Sequence, residues 1–364
     1  MKNIHPLLIN LSFVFSKPTG ISNYATNLFP YLQALNPILL TAQSVDNYTC
    51  HPVPSNLTPA QGSKGHLQRL LWTQWQIPKI YREKRSHLLF SPVPEAPLWS
   101  GCRYIITVHD LIPLRFPRNL SPLTNYFRYY LPQVLAQAEH IISVSETTAK
   151  DITKFFDIPS DKITPILHGY DCDRFRFLNL PTRESMGESP YFLYFGRPDP
   201  SKNLPRLITA FAALKNSDSE LWLVGPSDRR YTPFLKVQAE HLGIGDRVRF
   251  LEYVPAVELP IIINQAIALV FPSLWEGFGF PVLEAMACGT PVITANTSSL
   301  PEVAGDAALL INPENLGEIT AAMQAILGDG SLRSHLRQAG LDRANQFRWK
   351  KTGQATAAVL EKYL

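Results

Sequence analysis

Residues 271–291 read FPSLWEGFGFPVLEAMACGTP. An apolar run ends at Phe271, a glycine-containing turn follows, and Pro281 suits the first position of a helix. This pattern predicts a strand, a turn and a helix that starts near Pro281. Backbone N–H groups around Phe278, Gly279 and Phe280 then point out of a helix N-terminus, where anions bind. Glu276 lies in the turn and Glu284 in the first helical turn. Two acceptor-only carboxylates beside an anion site suit a ligand that is part phosphate and part polyol, because diols donate hydrogen bonds. For Glu284 a plain helix-dipole role stays open.

A second turn of the same kind is GRPDPSKN, residues 196–203, directly after the apolar run YFLYF. Arg197 and Lys202 flank it, and two cations there can neutralise a diphosphate, Arg through its fork and Lys as a point charge. Surface-loop charges are the bland alternative. In TVHDLIP, His109 and Asp110 close another apolar run. A histidine there can orient a sugar or move a proton, or simply cap the strand. TGISNY puts Gly20 after the first run, where a backbone must approach a ligand or turn sharply, or merely enters a helix. Asp171-Cys172-Asp173 has the spacing of a metal-binding D-x-D, but no other oxygen ligands accompany it. No metal site is expected.

Apolar runs at Pro6–Ile9, Tyr104–Val108, His140–Val144, Tyr191–Phe195, Leu221–Val224, Val248–Leu251, Ala266–Phe271 and Pro291–Ile293 suit buried strands. Helical patterns lie between them, as in Leu204–Leu214, Tyr231–His241 and Leu316–Leu327. Such alternation predicts parallel sheets with covered faces. At 364 residues the chain exceeds one core, and the polar stretch PTRESMGESP (181–190) is the natural break. The expected architecture is α/β: two Rossmann-like, doubly wound domains, 1–180 and 190–345, with carboxyl ends of strands facing a cleft.

The composition, 45% hydrophobic and 18% charged, excludes a disordered or coiled-coil chain, and 31 prolines favour short elements. Four scattered cysteines make a zinc site or disulfide framework improbable and suit a reducing compartment. PLLINLSFVF imitates a short signal peptide but contains Asn10 and lacks a cleavage motif, so a buried first strand is expected. A cytoplasmic location follows. Neither G-x-G-x-x-G, a P-loop nor G-x-S-x-G occurs, against dinucleotide oxidoreductases, P-loop NTPases and esterases. The net charge of +4 is uneven: residues 60–130 hold 10 Lys and Arg against 3 Asp and Glu, interleaved with Trp72, Trp75, Trp99, Phe116 and Tyr126–Tyr130. This suits peripheral contact with an anionic membrane at its inner face, against the alternatives of nucleic acid or an ordinary solvated basic face.

Taken together, these pieces resemble family 4 of the retaining glycosyltransferases, which have the GT-B fold. The residues that carry the resemblance are EGFGFPVLEA with its paired glutamates, GRPDPSKNLPRLITAF, VHDLIP, TGISNY, SVSETTAKDI and GTPVITANTSSLPEVAGDAALLINP. LHGYDCDRF looks like the family's Asn-Gly-Val-Asp segment, with His168 and Tyr170 as departures. Residues 346–364 look like its helix that crosses back to the first domain. The resemblance implies Arg197 and Lys202 on the diphosphate of a nucleotide-sugar donor and Glu284 on the ribose. It further implies Glu276 with the amides of Phe278, Gly279 and Phe280 on the transferred sugar. His109 would stand beside that sugar, and Gly20 would admit the phosphates. It implies no metal and no cofactor. Its style is nearest mannosyltransferases of surface-polysaccharide assembly, so GDP-mannose leads as donor and UDP-glucose follows, with a glycan or glycolipid acceptor. An epimerase or phosphorylase of the same architecture, or a non-catalytic sugar-nucleotide-binding protein, is the alternative.

Overall fold

The structure, a computed structural model, describes residues 6–14, 20–58, 62–118, 121–214 and 218–364. Among these residues two sheets form. The first contains β1 (Leu7–Asn10), β2 (Ile38–Thr41), β3 (Thr49–Pro52), β4 (Leu88–Ser91), β5 (Tyr104–Val108), β6 (His140–Ser143) and β7 (Ile163–Pro165), in the order β3-β2-β1-β4-β5-β6-β7. The second contains β8 (Tyr191–Phe195), β9 (Glu220–Val224), β10 (Val248–Leu251), β11 (Ala268–Phe271), β12 (Val292–Ala295) and β13 (Leu309–Ile311), in the order β10-β9-β8-β11-β12-β13. Every registered pair of neighbours is parallel. Parallel strands need crossovers, and helices such as Glu146–Phe156 and Leu204–Ala212 supply them. Covered on both faces, β1, β4, β5, β6, β8, β11 and β12 are buried throughout, which is why all of them but the short β4 read as continuous apolar runs. The expected doubly wound α/β class, GT-B in type, is therefore the observed one.

The chain divides into two compact units, Met1–Gly169 with Trp349–Leu364, and Tyr170–Arg348. The division falls at Gly169, ahead of the polar stretch 181–190. The intervening residues already hold to the second unit: the Arg348 guanidinium lies 5.6 Å from the centroid of the Tyr170 ring, and the Leu178 N–H donates to Asn264 Oδ1 at 2.7 Å. The helix Trp349–Glu361 belongs to the first unit, where Thr352 Oγ1 donates to the Leu167 carbonyl at 2.8 Å. Close approach there requires Gly353, since a Cβ would come within 2.3 Å of Tyr31 Cβ.

Candidate active site

Each sheet reverses its strand order once, between β1 and β4 and between β8 and β11, and open parallel sheets bind ligands beyond the carboxyl ends at such a point. In the second unit β8 runs into 196–203 and β11 into 272–279. The two turns meet through Lys202 Nζ and Glu276 Oε1, 2.6 Å apart, with side chains only 18% and 11% exposed. Sequence reasoning sent these residues to different parts of a ligand, whereas the structure pairs them with one another. Each charge thereby satisfies the other in a partly dry place.

The Glu276 turn is clamped from both sides. The Leu274 N–H donates to the Ser201 carbonyl at 2.7 Å, and Asn203 Nδ2 donates to the Pro272 and Pro313 carbonyls at 3.1 and 2.7 Å. From the β12 side, Ser298 Oγ accepts from the Glu276 N–H at 3.1 Å, and Ser299 Oγ donates to the Phe278 carbonyl at 2.6 Å. Asn203 and Ser298 hold φ of 61° and 58°, left-handed values uncommon outside glycine, and these bonds keep them there. Neither serine was singled out in the sequence. They sit in the segment ANTSSLPEV, which is part of the family resemblance but carries no role there for either serine.

Arg197 is exposed in its turn, and Tyr194 Oη donates to its carbonyl at 3.0 Å. Gly279 precedes the helix Phe280–Ala287 with φ 121°, and Pro281 occupies its first turn as expected. The Phe278 ring is buried, 5.2 Å centroid to centroid from Phe280, so its side chain belongs to the core. Glu284 is half-buried, and burial pushes its carboxyl up to about 8, opposed by Arg174 and reinforced by Asp171. Among the described residues no hydrogen bond satisfies this carboxyl. Asp171 itself accepts from the Arg174 N–H at 3.1 Å, a local turn.

In the first unit His109 stands just past β5, with Nε2 2.8 Å from the Pro92 carbonyl. A carbonyl only accepts, so Nε2 carries the hydrogen and Nδ1 is left as an acceptor. Burial lowers its pKa to about 4, so the ring is neutral at physiological pH. His168, the departure noted in LHGY, stacks on it at 5.7 Å and also meets Tyr24 at 4.7 Å. The departure thus touches the candidate histidine itself rather than remote junction detail. Gly20 opens the helix Gly20–Leu28 without positive φ, and a Cβ there would meet nothing within 4 Å. The fold does not demand glycine at this position, and Thr19 of the same motif lies outside the described residues.

The basic stretch is less uniform than its count suggests. Arg69 is buried and doubly bonded to Glu95 at 2.7 Å, and Arg115 pairs with Asp151. Tyr126 and Phe127 are core residues, while Trp75, Trp99 and Tyr129 are 75%, 78% and 62% exposed. Among the described residues no helix is long and apolar enough to cross a membrane.

Family models match both units: "Glycosyltransferase Family 4" over residues 18–174 and "Glycosyl transferases group 1" over 180–343. The chain is 31% identical over 256 residues to O-antigen chain mannosyltransferase B of Escherichia coli, covering 68% of this chain and 67% of that one. It is 28% identical over 321 residues to O-antigen chain mannosyltransferase RfbU of Salmonella typhimurium, covering 85% and 87%. Among solved structures, Anabaena Alr3699/HepE in complex with UDP-glucose matches with a TM-score of 0.76 at 18% identity, over 98% of this chain and 99% of that one.

Proposed function

The chain belongs to glycosyltransferase family 4, and from that premise we propose that it transfers a hexose from a nucleotide-diphosphate sugar to a glycan or glycolipid acceptor in polysaccharide biosynthesis, with retention of anomeric configuration. The observation that carries this reading is the Lys202–Glu276 pair at the strand-order reversal, with the half-buried Glu284 on the helix that follows. GDP-mannose is the leading donor, supported by the two O-antigen mannosyltransferases; UDP-glucose follows, supported by the HepE complex.

Donor binding would exchange the internal ion pair for ligand contacts. Lys202 turns to the diphosphate with Arg197, while Glu276 and the backbone at Phe278, Gly279 and Phe280 take hydroxyls of the sugar. Glu284 accepts from the ribose diol, and His109 through Nδ1 accepts from a hydroxyl of the transferred sugar. The bond between the anomeric carbon and the phosphate oxygen breaks as the acceptor oxygen bonds the same face. The departing phosphate oxygen takes the acceptor's proton, so no protein base is needed. Two preorganised cations stabilise the charge that develops on the leaving group, in the place a metal would otherwise fill. Peripheral contact with an anionic membrane through residues 60–130, at the inner face of the plasma membrane, belongs to the same proposal.

The test is a donor screen. Thermal protection and slow donor hydrolysis are expected with GDP-mannose, unchanged by a chelator. Protection by no nucleotide sugar, or turnover that a chelator removes and a divalent cation restores, overturns the respective claim.

Glu284 makes a separate prediction. Between its ordinary value of 4.5 and about 8, the folded protein holds a proton that the unfolded chain has released. Stability therefore falls as pH rises through this window, and Glu284→Gln removes that slope. The variant should melt above the wild type at about pH 9 and alongside it at about pH 5, yet lose about tenfold or more in donor affinity. Parallel melting profiles for the two proteins would contradict the assignment.

A further inference from the structure

On the first unit, the helix Gly62–Glu83 and the segment Ser121–Tyr130 border a groove of about 680 Å³. Its walls are Leu67, Leu70, Pro122, Leu123, Tyr126 and Tyr130. That volume is ample for a ligand, and the polar members of the lining are Arg69, Ser121 and His66, whose Nε2 is buried with no hydrogen-bond partner among the described residues. The Arg69 guanidinium on its floor is consumed by Glu95, with a third bond from Nη1 to the Leu57 carbonyl at 3.0 Å. The groove therefore presents a mainly hydrocarbon lining, with His66 and Ser121 as its polar exceptions, over an already neutralised ion pair.

Two further observations say what fits it. Leu67, Leu71 and Trp75 follow one another on one helix face and are 58%, 52% and 75% exposed, so the apolar lining continues out of the groove along the helix. At 1.5 Å per residue this stripe runs about 12 Å, suited to an extended chain rather than a compact ring. The surrounding charge is positive: Lys64 and Arg128 are exposed, and of the three acidic residues in 60–130, Glu95 is spent on Arg69 and Glu83 lies 3.9 Å from Lys79. A long apolar chain carrying an anionic head is the complement.

We propose that this groove holds the hydrocarbon chain of a lipid-phosphate-linked acceptor, so that the enzyme grips its acceptor by the lipid as well as by the glycan. The inference rests on the acceptor being a glycolipid. Farnesyl phosphate serves as the monomeric probe. It should bind the full-length protein, farnesol more weakly and inorganic phosphate not measurably. Leu67→Asp and Leu123→Asp, at exposed positions where folding is tolerant, should each weaken farnesyl phosphate about tenfold. They should raise KM for a lipid-linked acceptor similarly while leaving donor hydrolysis unchanged. Unaltered binding in both variants overturns the groove, as does equal binding of phosphate alone. Binding to anionic vesicles without binding of the monomeric probe would mean a membrane-docking face instead. Absence of donor hydrolysis in the wild type would count against the glycosyltransferase mechanism, not against the groove.

Discussion

Glu276→Gln and Lys202→Met are each expected to lower transfer by about a thousandfold, the scale on which one preorganised charge contributes to a transition state. Each single change also strands a partly buried charge, at a cost of about 2–3 kcal/mol, the low side for broken buried pairs because some solvent still reaches both groups. The double variant should regain most of that stability, since neither charge remains to be satisfied, and yet stay inactive. A purely structural ion pair would behave differently: activity would return together with the melting temperature. Thermal unfolding and donor turnover on the four proteins of this cycle separate the two roles. Near-normal turnover in either single variant would remove the residue from the site.

Gly225→Ala should be the most damaging small substitution in the second unit. Gly225 follows β9 with φ 149°, and a Cβ there would stand 2.1 Å from the Gly196 carbonyl oxygen. That oxygen is backbone and cannot swing aside as a side chain does. Gly196 is itself tied to β9 by its N–H on the Val224 carbonyl at 2.9 Å, and Gly225 to β10 by its N–H on the Leu251 carbonyl at 2.9 Å. Relief must therefore come from moving the turn that begins at Gly196 and carries Arg197 and Lys202. Strain of this kind costs about 3 kcal/mol or more. The expected result is a melting temperature lowered by several degrees and donor affinity reduced further than the stability loss alone explains. A variant that melts and binds like the wild type would show that the two turns are not packed as described.

The donor half of the fold was legible because its strands are buried on both faces. YFLYF, ALVF and the helix after Pro281 appear in the structure within two residues of where the apolar runs and the proline put them. Strands β2, β3, β4, β7 and β13 were not picked out. Each has only three or four residues, too short a run to stand out, and Thr49–Pro52 is in addition a partly exposed edge with a proline and a histidine. For the site, residue types were legible and partnerships were not. Lys202 and Glu276 lie 74 positions apart, and only the adjacency of β8 and β11 brings them together. His168 read as a departure from a pattern because nothing in one sequence reveals that its ring stacks on His109.

The central claim, retaining transfer from a nucleotide sugar, is tested most directly by time-resolved proton NMR of the sugar that the enzyme first releases from an α-linked donor. The α anomer should appear first and drift to the equilibrium mixture, at a rate that vanishes in the Glu276→Gln variant. Initial release of the β anomer would contradict the mechanism, and release undiminished in the variant would contradict the site.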